Sequence, residues 1–150
     1  TVGKVDLSPN LINVIAARAS LTVDLRNTDE ALLQRAETRL AAFLDELAAT
    51  EGVSISTQRL ARFEPVRFDP GIAACIAAQA EALGYTHRRM TSGAGHDAQM
   101  LARICPTAMI FVPSVGGISH NPAEHTQPAD LVAGLRVLFA TLLQLANEGA

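Results

Sequence analysis

Apolar and polar positions follow two different periods along the chain. Near the start the period is two. Gly3 to Leu7 forms a short alternating run, and Asn10 to Ile15 follows a Ser-Pro turn. Ala19, Leu21, Val23 and Leu25 then alternate with Ser20, Thr22, Asp24 and Arg26. This predicts a half-buried strand with Arg26 on the face opposite the apolar set. After Asn27 the period becomes helical. Leu32, Leu33, Ala36, Leu40, Phe43, Leu44 and Leu47 form one stripe. Asn27, with Glu30 three residues on, reads as a capping box, and Gly52 closes the helix. Val53 to Gln58 alternates again and predicts a strand. The simplest architecture for this half is an antiparallel sheet with a helix on one face.

The second half has another texture. Arg62 to Val66 reads as a connection. Asp69-Pro70 marks a helix start, with Asp at the cap and Pro at the first helical position. Ile72, Cys75, Ile76, Ala80 and Leu83 fill one side of that helix, and Gly84 stops it. Tyr85 to Met90 reads as a strand. Thr107 to Pro113 is a short, continuously apolar strand of the kind buried on both faces in α/β proteins. A Gly-rich polar loop runs from Ser114 to about Gln127, and a last helix spans about Ala129 to Asn147. The fold class is therefore α+β or α/β, divided into residues 1–65 and 66–150. The second half offers helices and strands without a complete sheet, so it reads as part of a larger body or of an oligomer.

Composition narrows the function. The formal charge is −3, which excludes the basic footprint of a general nucleic-acid binder. Hydrophobic residues make up 49% and charged residues 18%, which excludes disorder and allows a sizeable core. Arg, Asp or Pro interrupts the longest apolar stretches, so no membrane span or membrane partner is expected. The first residues lack a signal-peptide profile, and no start methionine is present. Cys75 and Cys105 form no C-x-x-C pair. They read as reduced core thiols of a cytoplasmic protein.

Three places carry candidate chemistry. Ser92-Gly-Ala-Gly-His96-Asp97-Ala98 combines small residues with a titratable pair; taken alone, it reads first as a Gly-rich turn in which Asp97 caps a helix. Gly116-Gly117-Ile118-Ser119-His120-Asn121-Pro122-Ala123-Glu124 closely follows the apolar strand, where ligands bind in open α/β sheets. A neutral His120 there can ligate a metal with Glu124 behind it, or it is a solvated loop residue. Asn13 and Arg26 fall on neighbouring strands in this reading. A guanidinium grips a carboxylate through two parallel hydrogen bonds, or Arg26 simply pairs with Asp24. His87 and His125 read as surface residues.

Taken in order, Pro9-Asn-Leu-Ile-Asn13-Val-Ile, Leu21-Thr-Val-Asp-Leu-Arg26-Asn-Thr-Asp-Glu30, Ser92-Gly-Ala-Gly-His-Asp-Ala98 and Gly117-Ile-Ser-His-Asn-Pro-Ala-Glu124 resemble the hydantoinase/carbamoylase amidase family. That family lies among the aminoacylase-like and carboxypeptidase-like zinc hydrolases. It includes N-carbamoyl-L-amino-acid hydrolase, allantoate amidohydrolase and zinc-dependent β-ureidopropionase. The resemblance implies that residues 1–65 are a partial lid and dimerisation domain, and that residues 66–150 are the C-terminal βα segment of the catalytic domain. It makes His120 a metal ligand, and Asn13, Arg26, His96 and Ser119 substrate-binding residues. Arg26 would hold the substrate carboxylate, and Asn13 would be supplied across a homodimer. The family binds two zinc ions, with manganese as the alternative, and hydrolyses linear ureido or amide C–N bonds of small carboxylate substrates. Its general-base Glu and most metal ligands lie in a segment with no counterpart here, so no catalytic residue is assigned. One His cannot hold a catalytic zinc, and the chain alone is expected to be inactive. A truncated, non-catalytic binding or dimerising module is the other reading. Ala16-Ala17 stands where the family continues with Pro-Gly, which removes a φ restraint and an easy turn beside Asn13.

Overall fold

The computed structural model describes residues 1–148. Two strands, β1 (Val2–Ser8) and β2 (Arg18–Val23), precede the helices α1 (Glu30–Glu51), α2 (Pro70–Ala82), α3 (Ala98–Leu101) and α4 (Pro128–Glu148). A single 3₁₀ turn, Val115–Gly117, lies between α3 and α4. The chain divides into two units, Thr1–Pro65 and Val66–Ala150.

In the first unit β1 and β2 form an antiparallel ribbon in which Val2 faces Val23 and Ser8 faces Arg18. The alternation in β2 predicts a half-buried strand, but every residue of both strands is exposed. Among the described residues no helix packs on either face of the ribbon. Val5, Leu7, Leu21 and Val23 thus stand in solvent along an apolar stripe. Helix α1 begins one turn feature later than the capping box suggests. Asp29 is the N-cap, its carboxylate accepting the Leu32 N–H at 2.9 Å, while Asn27 Oδ1 accepts the Asp29 N–H at 2.9 Å. The Asn makes the turn and the Asp makes the cap. Gly52 ends α1 in the left-handed conformation, φ 65°. Residues 53–58 carry no ladder pairing, contrary to the predicted strand. A strand exists only with a partner, and alternation alone supplies none. Arg62, 19% exposed, returns to α1 and pairs with Glu30 at 2.6 Å and with Glu37 at 3.0 Å. Glu30 and Glu37 are seven residues apart, two turns on one helix face.

In the second unit Asp69 caps α2 by accepting the Ile72 N–H at 2.8 Å, and Pro70 is the first helical residue. Gly84, φ 75°, follows its last turn. Helices α2 and α4 pack together, with Gln79 and Gln144 hydrogen-bonded across them. Ala80 of α2 and Val137 and Thr141 of α4 are buried, Thr141 donating its hydroxyl to the Val137 carbonyl at 2.8 Å. The predicted strands at 85–90 and 107–113 form no ladder; the second is tied to α2 by the Asp69 N–H, which donates to the Thr107 carbonyl at 2.8 Å.

The structure bears on the reading of composition at three points. Among the described residues the buried apolar set is only Leu33, Ala80, Ala98 and Val137, not a sizeable core. The chain exposes 11998 Å², where a compact monomer of its mass exposes about 7300 Å² and two separate halves about 8800 Å². Cys105 is exposed rather than a core thiol, while Cys75 is half-buried in α2. Residues Pro128–Asn147 of α4, with a mean hydropathy of 1.6, are long and apolar enough to cross a membrane by length and composition alone, a test that the core helix of a soluble protein also passes. Asp130 and Arg136 are too few to break the run, although each looks like an interruption when read singly.

Candidate functional site

Arg26 lies just past β2, three residues beyond Val23, which pairs with Val2. Two backbone bonds extend the pairing by one residue: the Asp24 N–H donates to the Thr1 carbonyl at 2.8 Å, and the Thr1 nitrogen donates to the Asp24 carbonyl at 2.7 Å. Asp24 and Arg26, two residues apart on extended chain, project to the same side. Arg26 Nε donates to Asp24 Oδ1 at 2.9 Å, and Nη2 donates to Oδ2 at 2.6 Å. The hydrogen-bonded guanidinium holds the Asp24 carboxyl below its usual range, and the carboxylate raises the guanidinium in return. Both side chains are more than half exposed, and with Thr1 and Leu25 they line a shallow open depression of about 420 Å³.

Asn13 does not join this group. It sits in the turn from residue 9 to 17 that links the two strands, with its side chain exposed. That places it at one end of the ribbon and Arg26 at the other. Six steps of strand separate the ends by about 20 Å. The expectation that Asn13 and Arg26 fall on neighbouring strands is therefore corrected: Asn13 lies in the turn between β1 and β2, and Arg26 lies just past β2 at the other end.

The second unit carries the other three candidates on two loops. Ser119 and His120 share the loop after residue 113, and both are exposed. The loop is pinned at its base, where the Val115 N–H donates to the His125 carbonyl at 2.8 Å and the Ser114 hydroxyl to the Ile118 carbonyl at 2.6 Å. Gly116 and Gly117, at φ 66° and 68°, make the bend. His120 itself has φ 55°, a left-handed backbone uncommon for a residue with a Cβ. Its N–H donates to Glu124 Oε2 at 2.9 Å, and Asn121 Oδ1 accepts the Ala123 N–H at 2.9 Å. Glu124 thus supports His120 through the backbone, rather than through the imidazole as its spacing first suggests. His96 stands on the loop before α3, where its Nδ1 accepts the Ala98 N–H at 3.1 Å. That bond leaves the proton of the neutral ring on Nε2. Asp97 precedes α3 but makes no side-chain cap to it.

Among the described residues no three His, Cys, Asp or Glu side chains converge on one point. His120 is one donor, and the Glu124 carboxylate is engaged with the backbone. These residues do not by themselves constitute a metal site, since a catalytic zinc takes three protein ligands. Sequence reasoning missed the Arg62 bridge to Glu30 and Glu37. The signal available for it was the pair of carboxylates at a seven-residue spacing on α1.

Residues 3–144 match the family described as Peptidase family M20/M25/M40. The chain is 41% identical over 146 residues to an N-carbamoyl-L-amino-acid amidohydrolase of Rhizobium meliloti, covering 97% of this chain and 35% of that protein. It is 41% identical over 150 residues to an allantoate amidohydrolase of Escherichia coli, covering 97% and 36%. A solved hydantoinase/carbamoylase-family amidase from Burkholderia multivorans superposes with a TM-score of 0.88 at 41% identity, covering 96% of this chain and 35% of that one. AtUAH in complex with glyoxylate superposes with a TM-score of 0.88 at 34% identity, covering 97% and 34%. The chain spans about a third of the length of the relatives it matches.

Proposed function

The chain belongs to Peptidase family M20/M25/M40, a metal-dependent family, and from that premise we propose that it is the C-terminal portion of an amidohydrolase acting on linear ureido or amide C–N bonds of N-carbamoyl amino acids or allantoate. The observation that carries the reading is coverage. Amidohydrolases of these two kinds align over 97% of the chain, yet the chain is about a third of each. The exposed apolar faces of β1, β2 and α4 agree with it, because such faces are made to be covered. In this reading α4 is a core helix of the catalytic domain, residues 1–65 are lid, and the protein is cytoplasmic.

The site residues take these roles in the proposal. Arg26 anchors the substrate carboxylate, a ligand class represented among the relatives by the glyoxylate held by AtUAH. His120 contributes one ligand to a zinc or manganese centre whose other ligands lie outside residues 1–150. His96 offers an Nε2–H donor to the substrate, and Ser119 lies beside His120 on the same loop. The separation of Asn13 from Arg26 along the ribbon supports a homodimer, since a small substrate does not bridge about 20 Å. Asn13 then serves the site of the partner copy. The test is a substrate panel on the longest chain that carries residues 1–150, loaded with zinc or manganese. Turnover of N-carbamoyl-L-amino acids or allantoate is the expected result. Binding without turnover of any ureido or amide substrate would favour the non-catalytic module.

A further inference from the structure

We propose that Asp24 is a positioning residue for carboxylate recognition, holding the Arg26 guanidinium in one orientation so that geometry as well as charge selects the ligand. The proposal rests on the reading of Arg26 as the carboxylate anchor. Asp24 is well placed for this work. Both its backbone N–H and its carbonyl are bonded to Thr1, so its position is fixed to the end of the ribbon. Arg26 lies two residues beyond, on a long side chain with many rotamers, past the last paired residue.

The contact is a side-on fork. Nε and Nη2 donate to the two oxygens of one carboxylate, at 2.9 and 2.6 Å, with Nε also 3.0 Å from Oδ2. Such a fork sets the plane of the guanidinium as well as its position. A guanidinium is planar with its five N–H donors in a fixed fork, so a partner on its Nε–Nη2 edge also sets the direction of its other edge. Asp24 also neutralises most of the charge of Arg26 at long range. A ligand is then held by aligned hydrogen bonds, and anions of the wrong shape gain little. The extended chain just past β2 supplies this partner two residues before Arg26.

The experiment is steady-state kinetics of the full-length amidohydrolase with an N-carbamoyl-L-amino acid and with its carboxamide analogue. Wild type is compared with Asp24→Asn, Asp24→Ala and Arg26→Ala. The proposal expects Asp24→Ala to raise KM for the acid about tenfold, with kcat and the turnover of the amide changed by less than about twofold. Asp24→Asn keeps one acceptor for the Nε–H and falls between wild type and Asp24→Ala. Turnover of the amide doubles as the check that each variant folds. A lower KM for the acid in Asp24→Ala would overturn the proposal, because Asp24 would then be a competitor for Arg26. Equal losses for acid and amide would also overturn it, by showing a structural role alone. Failure of the anchor reading itself shows separately, as an Arg26→Ala variant that loses acid and amide turnover equally.

Discussion

The two arginine clusters of the first unit differ in what holds them. Arg26 and Asp24 are neighbours on one extended segment and are more than half exposed, so their pairing is a local and readily shared contact. In its proposed role as anchor, Arg26 is expected to be hard to replace. Arg26→Ala should lower kcat/KM for carboxylate substrates by more than about tenfold, and Arg26→Lys should recover little, because an ammonium lacks the planar fork. Steady-state assays of the full-length protein check this, and full recovery by Lys would count against the fork. Arg62 instead joins a segment more than twenty residues away in sequence to α1. Its hydrogen bonds hold the Glu30 carboxyl below its ordinary value of 4.5. A depressed carboxylate contributes stability above its unfolded value and loses that contribution as the pH falls through the folded value. A ¹³C carboxyl NMR titration should place the Glu30 midpoint below 4.5, and Arg62→Ala should return it upward. An unmoved midpoint in the variant would show that Arg62 is not the cause.

Helix ends were legible in the chain because capping is local physics. Asp69-Pro70, Gly52 and Gly84 each stand where a helix starts or stops. Asn27 and Asp29 show the resolution of that reading: two good capping residues lie two apart, and the choice depends on which of them makes the turn. Strands were less legible, because a ladder needs a partner that a one-dimensional pattern does not supply. Residues 53–58 and 107–113 have strand-like sequences and no ladder, and β2 alternates without burying either face. The loop at Ser119 and His120 was legible through its resemblance to a family motif, but the backbone role of Glu124 was not, since spacing does not say which atom of His120 it meets. The seam between α4 and the extended segment at 107–113 gives a sharp test at this scale. A Cβ added at Gly134 would collide with Cγ1 of Val112, a branched side chain with little room to turn. Gly134→Ala should therefore lower the melting temperature of the full-length protein, although Ala is the better helix former by about 1 kcal/mol, because overpacking typically costs about 1–3 kcal/mol. A rise in Tm would show that the seam has slack.

At the scale of the whole molecule the governing quantity is uncovered surface. The chain exposes 11998 Å², well above the area expected even for two separate bodies of its total mass, about 8800 Å². Leu131, Leu135, Phe139 and Leu142 of α4, and Val5, Leu7, Leu21 and Val23 of the ribbon, are large contributors to it. The relatives are about three times as long, which gives such faces something to meet. The proposed chemistry divides in the same way: within residues 1–150 it uses His120 as a metal donor, Arg26 as a carboxylate anchor, His96 and Ser119 on their loops, and Asn13 toward the partner copy. The most direct measurement is hydrolysis of N-carbamoyl-L-amino acids and allantoate by the 150-residue chain alone, with zinc or manganese added. No turnover is predicted, because His120 is the one proposed ligand and no three candidate ligands converge among the described residues, whereas a catalytic zinc needs three. Turnover that survives repurification and disappears in His120→Ala would contradict it, by showing a complete active centre within residues 1–150.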